Sequence, residues 1–202
     1  MRLLALILIV AAAAWRILAL HAPELGNFSP LMALAFCGGA YFSSRWMWCV
    51  PFAALTASDL YIDHAYAVEY HYHWSAGGML VRLLCFAAGV MLGRAVAGRR
   101  SWPALGAGAL ASSVLFYLVT NSATWFSDSA YAHGATGLDA AYARTFAGWW
   151  QALTIGHPGL PSTLYFFRNT FVSDLLFTAG FALVMEYAAL RRGETSLLAR
   201  RA

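Results

Sequence analysis

Six apolar runs, separated by short polar or turn segments, dominate the pattern of hydrophobic and polar positions along the chain. They cover residues 3–20, 30–42, 47–62, 77–96, 102–125 and 164–190. Because roughly 20 helical residues cross a hydrocarbon core about 30 Å thick, this pattern predicts six transmembrane helices in one all-α integral membrane domain. We place that domain over residues 1–202. The second and third runs are short, so we expect tilt, extension into flanking aromatic residues, or shelter behind neighbours.

The first run also resembles a secretory signal peptide. Arg2 precedes it, and the four alanines at 11–14 offer small residues to a peptidase. The run is longer than a usual signal core, and Arg16 directly after the alanines is unusual in a segment that is removed. We expect the first span to be retained, with cleavage as the alternative.

Composition agrees with a membrane protein. The chain is 61% hydrophobic and only 11% charged, where soluble domains have about 25% charged residues. All thirteen basic residues are arginines, scattered singly or in pairs between the apolar runs. They form no continuous basic face, so binding to nucleic acid is not expected.

The arginines also predict the orientation of the chain, because cytoplasmic loops carry an excess of positive residues. Nine of them fall on one side of a six-span topology, which places both termini in the cytoplasm. All six histidines and five of the nine acids fall on the opposite side. The nine are Arg2, Arg45, Arg94, Arg99, Arg100, Arg191, Arg192, Arg200 and Arg201.

The long outer segment between the fifth and sixth spans contains an amphipathic pattern over residues 138–155. The pattern predicts a helix that lies over the outer mouth of the bundle, and a helix resting on lipid is the alternative. The residues on its predicted face are Leu138, Ala141, Tyr142, Thr145, Phe146 and Trp149.

Seven of the polar residues inside the predicted spans lie within about three turns of the outer end. An arginine or aspartate at the centre of a bilayer costs about 2.5–3.5 kcal/mol, so each requires a partner or water. As a set they predict a polar ligand pocket that opens outward; helix-to-helix pairing is the alternative for any one of them. They are Arg16, Asp59, Arg82, Asn121, Arg168, Asn169 and Asp174.

Small residues recur at a spacing of four in several spans. Gly89 and Gly93 form one such pair, and Ala35 and Gly39 form another. This spacing lets membrane helices approach closely, so it predicts tight packing at these positions.

His71 and His73 are the most distinctive local feature of the outer side. Residues two apart in an extended loop point the same way, so both imidazoles could reach one metal ion or cofactor. A hydrated interfacial loop is the alternative. Cys85 lies in the following span and could supply a soft ligand, although packing is its simpler role.

Signatures of soluble enzyme chemistry are absent from the sequence. It contains no Gly-x-Ser-x-Gly elbow, no His-Glu-x-x-His pair and no phosphate-binding glycine loop. Active transport by this chain would therefore require a partner ATPase or an ion gradient.

Several short motifs resemble the substrate-binding S components of energy-coupling-factor vitamin transporters, most closely the solitary cobalamin-type component of Gram-negative bacteria. The resemblance implies six helices in the bacterial inner membrane, a ligand site under the outer loops, and toppling of the protein after docking on an energising ATPase module. The motifs are Asn27-Phe28-Ser29-Pro30, Gly38-Gly39-Ala40-Tyr41-Phe42, Ser58-Asp59-Leu60, Thr120-Asn121, and Asn169-Thr170 with Asp174. The first span lacks the Ala-x-x-x-Ala docking pattern of many S components.

The same resemblance implies a cobalt ligand in the outer loop between the third and fourth helices. Some relatives have a cysteine there, whereas this chain has His71, Tyr72 and His73. We expect imidazole from His71 or His73 to be the ligand, with thiolate from Cys85 as the alternative. The expected ligand-binding residues are His21, Asn27, Asp59, Tyr72, Asn121, Arg144 and Asn169.

The leading hypothesis is therefore uptake of cobalamin or a related corrinoid. A second hypothesis within transport is an S component for another vitamin or for a metal ion. The outer histidines and acids could instead form a metal-dependent membrane enzyme. The simplest alternative is a structural membrane subunit whose polar residues only hold helices together.

Overall fold

Helices account for all the regular structure in the part of the chain that the computed structural model describes, namely residues 2–22, 25–42, 45–70, 75–127, 142–158 and 161–198. A 3-10 turn, Ala97–Arg99, follows the fourth helix. The α-helices are α1 Arg2–Ala19, α2 Leu31–Tyr41, α3 Arg45–Tyr70, α4 Ala76–Val96, α5 Trp102–Ser127, α6 Phe146–Leu153 and α7 Thr163–Leu190.

Three of these helices are long and apolar enough to cross a membrane, judged by length and composition. They cover Ala76–Arg99, Trp102–Phe126 and Thr163–Leu190. The chain therefore has the make-up of a membrane protein, and its all-helical class is confirmed for the described residues.

Most of the predicted boundaries agree with the helices to within two residues. The predicted end of the third run at residue 62 is wrong, because α3 continues to Tyr70. Its last two turns carry exposed side chains such as Tyr66 and Val68, and residues 63–70 include three charged or histidine side chains that lower the hydropathy there. Hydropathy marks the apolar stretch of a helix, and a helix can be longer than that stretch.

The short helix α2 lies at the centre of the bundle. Every residue from Leu31 to Ala40 is buried, and α2 contacts α3, α4, α5 and α7. Its sequence is apolar on all sides, as expected for a helix surrounded by others. Shelter behind neighbouring helices, predicted for this short run, is confirmed.

Glycines bring the backbones of α2 and α4 into direct contact. A Cβ atom at Gly39 would overlap the carbonyl oxygen of Val90, and one at Gly93 would overlap the carbonyl oxygen of Phe36. Because backbone atoms cannot rotate away, only glycine fits at these two positions. The close packing predicted from small residues at a spacing of four is confirmed here.

Asp174 of α7 caps the N-terminus of α2 across the bundle. Pro30 occupies the N-cap position and makes no side-chain cap. Instead, Asp174 Oδ1 accepts a hydrogen bond from the Ala33 backbone N–H at 2.8 Å, and Oδ2 accepts one from Ser113 Oγ at 2.7 Å. A carboxylate at this place satisfies an unpaired N–H group and lies at the positive end of the helix dipole.

The orientation labels used below follow the predicted topology. The outer end of the bundle is the end at which α1, α3 and α5 finish and at which α4 and α7 begin. The inner end is the opposite one.

We expect Gly93→Ala to lower the thermal unfolding temperature of the detergent-purified protein by roughly 5–10 °C, since overpacking of this size costs about 2–3 kcal/mol. The matched control is Gly106→Ala, because no atom lies within 4 Å of a Cβ at Gly106. That change should leave the unfolding temperature unchanged or slightly higher, because alanine favours a helix. Equal effects of the two changes would contradict the α2–α4 contact.

Candidate functional site

A buried ionic network joins α1, α3 and α4 at the outer end of the bundle. Asp59 pairs with Arg16 of α1 through Oδ1 and with Arg82 of α4 through Oδ2, the second at 2.9 Å from Nε. Arg82 also contacts Asp63 Oδ2 through Nη2 at 2.6 Å. The two carboxylates lie four residues apart on α3, so they project from one face of that helix.

Neighbouring groups of α3 complete the surroundings of Arg16. Its Nη1 donates hydrogen bonds to Ser58 Oγ at 2.5 Å and to the Leu55 carbonyl oxygen at 3.3 Å. Its Nε is buried and has no hydrogen-bond partner among the described residues. Arg16 is thus held by three groups spaced along one face of α3.

The network contains two guanidinium groups and two carboxylates, so its formal charges cancel. Its burial is uneven: the Asp59 side chain is 4% exposed, whereas that of Arg82 is 20% exposed. Buried charges are tolerated when each has an opposite partner, but their desolvation offsets much of the attraction. The Arg82–Asp63 edge is therefore the part of the network that is most accessible to a ligand.

The end of α3 and the start of α4 lie beyond this edge. Residues 71–74, which connect the two helices and include His71, Tyr72 and His73, lie outside the described residues. Their place along the chain is nevertheless bounded by the helix ends at Tyr70 and Ala76. At 1.5 Å per residue, these ends are about 10 Å further out than Asp63 and Arg82.

A second polar strip on α7 holds the connection between α1 and α2. Asn169 Nδ2 donates to the Gly26 carbonyl oxygen at 2.9 Å, Thr170 Oγ1 to that of Asn27 at 3.2 Å, and Ser173 Oγ to that of Ser29 at 2.9 Å. These bonds satisfy carbonyl groups that no helix satisfies, which is the condition for irregular backbone beside a membrane bundle. The Asn27-Phe28-Ser29-Pro30 motif and the Asn169-Thr170 motif therefore contact each other.

Asn27 and Asn169 accordingly have structural partners. Asn27 lies in a turn with φ 61°, in the left-handed region that asparagine tolerates better than most residues. The Asn169 side chain is buried, and its Oδ1 accepts a hydrogen bond from Arg168 Nη2 at 3.1 Å. Both residues shape the outer end, and Asn27 is exposed there.

Helix α6 packs against α5 and α7 at the outer end. Thr145 caps it by accepting a hydrogen bond from the Gly148 N–H at 3.2 Å, and Trp149 Nε1 donates to Ser122 Oγ of α5 at 2.9 Å. Tyr117 of α5 donates to the carbonyl oxygen of Leu153. These contacts fix α6 across the outer part of α5.

The predicted bounds of this amphipathic segment are wrong, and its predicted face is confirmed only in part, because Tyr142 is buried and Trp149 bonds to α5. The helix is shorter than residues 138–155, and residues 138–141 lie outside the described part of the chain. Phe146 is 75% exposed, and the side of α6 that packs inward carries Gly148, Ala152 and Leu153. Thr145 acts as the N-cap, so the chain turns there and the residues before it do not continue the helical face.

The remaining predicted site residues occupy separate places. Arg144 is exposed, donates to the Trp125 carbonyl oxygen and lies 5.8 Å from the Trp125 ring. Asn121 Nδ2 donates to the Tyr117 carbonyl oxygen of its own helix at 2.8 Å. His21 is exposed in the turn after α1.

Cys85 is a free thiol on α4, 2% exposed and one turn beyond Arg82. Within the described ranges, no group of three or more histidine, cysteine or acidic side chains is placed to hold a metal ion.

The polar residues of the spans therefore divide into groups with different partners. Asp59 is joined to Arg16 and Arg82, Asn169 to Arg168 and the α1–α2 connection, and Asp174 to the N-terminus of α2. Asp63 was not among the predicted ligand residues. Its spacing of four from Asp59 is the signal that could have found it, because such residues share a helical face.

We expect Asp59→Leu to destabilise the protein strongly, because breaking a buried ion pair costs about 3–5 kcal/mol. The double change Arg16→Leu with Asp59→Leu should unfold at a higher temperature than Asp59→Leu alone, since the unpaired Arg16 is then removed while Arg82 keeps Asp63. Thermal unfolding of the purified protein measures both. Glu194→Leu is the surface control: it breaks the exposed Arg192–Glu194 pair and should cost at most about 1 kcal/mol. The network would be contradicted if the loss of stability in the double variant equalled the sum of the losses caused by its two single changes.

Comparison with known proteins identifies the family of the chain but no characterised relative. Searches of curated proteins and of solved structures each returned no match. Residues 1–196 match a protein family described as a family of unknown function, DUF6580. The match covers nearly the whole chain, and the protein belongs to the DUF6580 family.

Proposed function

We propose that this protein is a six-span subunit of the bacterial inner membrane that binds cobalamin or a related corrinoid at its outer face for uptake. In this topology α1, α2, α3, α4, α5 and α7 cross the membrane, and both termini lie in the cytoplasm. Helix α6 covers part of the outer mouth. The positions of the nine cytoplasmic-side arginines support this orientation.

The observation that carries the proposal is the partly accessible ionic network near the end of α3 and the start of α4, the two helices that residues 71–74 connect. Ionisable residues inside a membrane protein are costly and mark ligand or ion pathways more often than packing alone requires. Here the least buried pair, Arg82 and Asp63, faces the end at which that loop connects α3 to α4. A ligand between the loop and the network has donors and acceptors on both sides.

The distance between the ionic network and the start of the 71–74 segment favours a large ligand. Along α3 and α4 about 10 Å separates the network from the start of the loop, which exceeds the reach of one metal ion to its ligands. A corrinoid has amide side chains that can bond to a guanidinium and a carboxylate, and a cobalt centre that takes an imidazole ligand. His71 or His73 is the cobalt ligand in this proposal, because the Cys85 thiol is buried against the bundle.

Aromatic side chains at the outer end support a flat, partly apolar ligand. The ring centroids of Tyr117 and Phe167 lie 4.2 Å apart with the rings tilted, and that of Phe146 lies 5.5 Å from that of Trp149 on α6. Partly buried and exposed aromatic rings of this kind line sites for large ligands. Phe146, which is largely exposed, is the member of this group that can move onto a bound ligand.

Energy for uptake comes from outside this chain in the proposal. The sequence has no phosphate-binding glycine loop, so ATP is hydrolysed by a separate energising module or an ion gradient is used. The protein itself supplies recognition of the corrinoid and its passage through the lipid bilayer.

The direct test is the absorption spectrum of protein purified from cobalamin-fed cells. We expect visible corrin absorbance, and we expect the double change His71→Ala with His73→Ala to lower corrinoid affinity at least about tenfold through loss of the axial ligand. His64→Ala is the matched control, because His64 is an exposed histidine of α3 outside the proposed site. It should leave affinity within about twofold of the unaltered protein, as expected for a surface substitution.

Colourless protein without measurable corrinoid affinity would overturn the ligand assignment. Bound zinc or iron without corrinoid would favour a metal-dependent enzyme, and rescue of a strain requiring another vitamin would favour a different cargo. If the double histidine variant kept its corrinoid affinity and Cys85→Ala lost it, the cobalt ligand would be the Cys85 thiolate.

The topology is tested with single cysteines in a background without Cys37, Cys49 and Cys85. Ala147→Cys on α6 and Thr195→Cys after α7 are both exposed. A membrane-impermeant maleimide should label the first in intact spheroplasts and the second only after permeabilisation. Labelling of position 195 in intact spheroplasts would overturn the orientation.

A further inference from the structure

A cavity of about 360 Å³ lies at the inner end of the bundle, opposite the proposed corrinoid site. It is formed where α2 ends, where α4 ends and where the 3-10 turn leads to α5. We call it the arginine pocket. The lining residues that matter below are Tyr41, Phe42, Arg94, Gly98 and Arg100.

Arg100 is held rigidly at one side of the arginine pocket. Its Nη1 donates to the carbonyl oxygens of Ala40 at 3.1 Å and Ala97 at 3.0 Å. Its guanidinium carbon lies 4.9 Å from the Tyr41 ring centroid, and its Nε is 3.6 Å from Glu186 Oε1. No described residue accepts a hydrogen bond from Nη2, which leaves that nitrogen as a donor for a ligand.

The Arg94 side chain has more N–H groups without a partner among the described residues than Arg100 has. Its guanidinium carbon lies 5.6 Å from the Trp48 ring centroid, and no described residue forms a hydrogen bond or an ion pair with the Arg94 side chain. The side chain is exposed at the end of α4. Two arginines with donors that no described residue uses thus line the same cavity.

The charge of the arginine pocket is positive. Glu186 is the acid nearest to Arg100, and its carboxylate already accepts hydrogen bonds from Tyr41 Oη at 3.0 Å and from the Leu197 N–H at 2.7 Å. It offsets part of the charge of Arg100, and among the described residues it forms no ion pair with Arg94. An anion with several acceptor oxygens matches this arrangement, because guanidinium groups bind phosphate with paired hydrogen bonds.

The surface of α4 that leads to the pocket indicates where such an anion comes from. Leu84 and Met91 are both more than half exposed. At 100° and 1.5 Å per residue they fall within about 20° of each other and lie about 15 Å and about 5 Å along α4 from Arg94, as an apolar track. Hydrocarbon chains can lie on such a track while a headgroup reaches the arginines.

We infer that the arginine pocket binds the phosphate of an anionic phospholipid of the inner leaflet, with Arg94 and Arg100 as its ligands. Basic pockets at the cytoplasmic side of membrane bundles are suited to such headgroups. The placement of the pocket in the inner leaflet rests on the proposed topology. Gly98, with open space where a Cβ would lie, leaves room for the headgroup next to the phosphate.

The test is native mass spectrometry of the full chain, delipidated in a neutral detergent and titrated with short-chain phosphatidylglycerol. We expect Arg94→Gln to weaken binding at least about tenfold, since it removes a charged pair of donors. Arg99→Gln is the matched control: it removes the same charge one residue before Arg100, at an exposed position that does not line the pocket. It should change binding less than about twofold, as expected for a screened surface charge. Thermal unfolding of Arg94→Gln should change little, because Arg94 forms no ion pair with any described residue and loses only its contact with the Trp48 ring.

Three results would overturn the inference. Equal binding of phosphatidylglycerol and phosphatidylcholine would show that the anionic headgroup is not recognised. Equal losses in the Arg94 and Arg99 variants would reduce the effect to general charge. Displacement of the lipid by inorganic phosphate at equal concentration would assign the pocket to a soluble phosphate. Corrinoid absorbance is read on the same samples and should not change in Arg94→Gln, so either proposal can fail alone.

Discussion

The contact between the backbones of α2 and α4 is the constraint on which the rest of the bundle depends. With glycine at positions 39 and 93, the two helices approach until a Cβ atom would overlap a carbonyl oxygen. Van der Waals packing of this kind is the main attraction between helices in lipid, where burial of apolar surface supplies little. An 11-residue helix can then sit at the centre, surrounded by α3, α4, α5 and α7.

Placing a short helix at the centre creates a need for polar partners at both of its ends, and α7 supplies them. Asp174 caps the first turn of α2, and Glu186 accepts a hydrogen bond from Tyr41 at its last residue. Between the cap and the outer surface, Asn169, Thr170 and Ser173 bind the carbonyl groups of the preceding connection. Helix α7 therefore contributes polar contacts along most of its length, although its overall composition is apolar.

The candidate site was predictable in part. Asp59 stood out from the sequence because a carboxylate in an apolar run requires a partner, and the structure supplies Arg16 and Arg82. Asp63 lies just past the predicted end of the third apolar run at residue 62, whereas the helix continues and turns Asp63 toward Arg82. Asn121 was predicted as a ligand residue, but its amide bonds to the backbone of its own helix. A hydropathy pattern cannot distinguish such an asparagine from one that faces a ligand.

The sequence by itself determined the helical class, most of the helix boundaries, the close helix packing at Gly39 and at Gly93, and the uneven distribution of arginine. Each of these follows from local periodicity or composition, which the chain carries along its length. The tertiary structure alone decided which polar groups became partners. Gly26 and Asn169 lie 143 positions apart and are joined by a hydrogen bond, and Arg16 meets Asp59 across 43 positions. Such pairings depend on how helices are rotated and stacked, and that is decided by the summed packing of all of them.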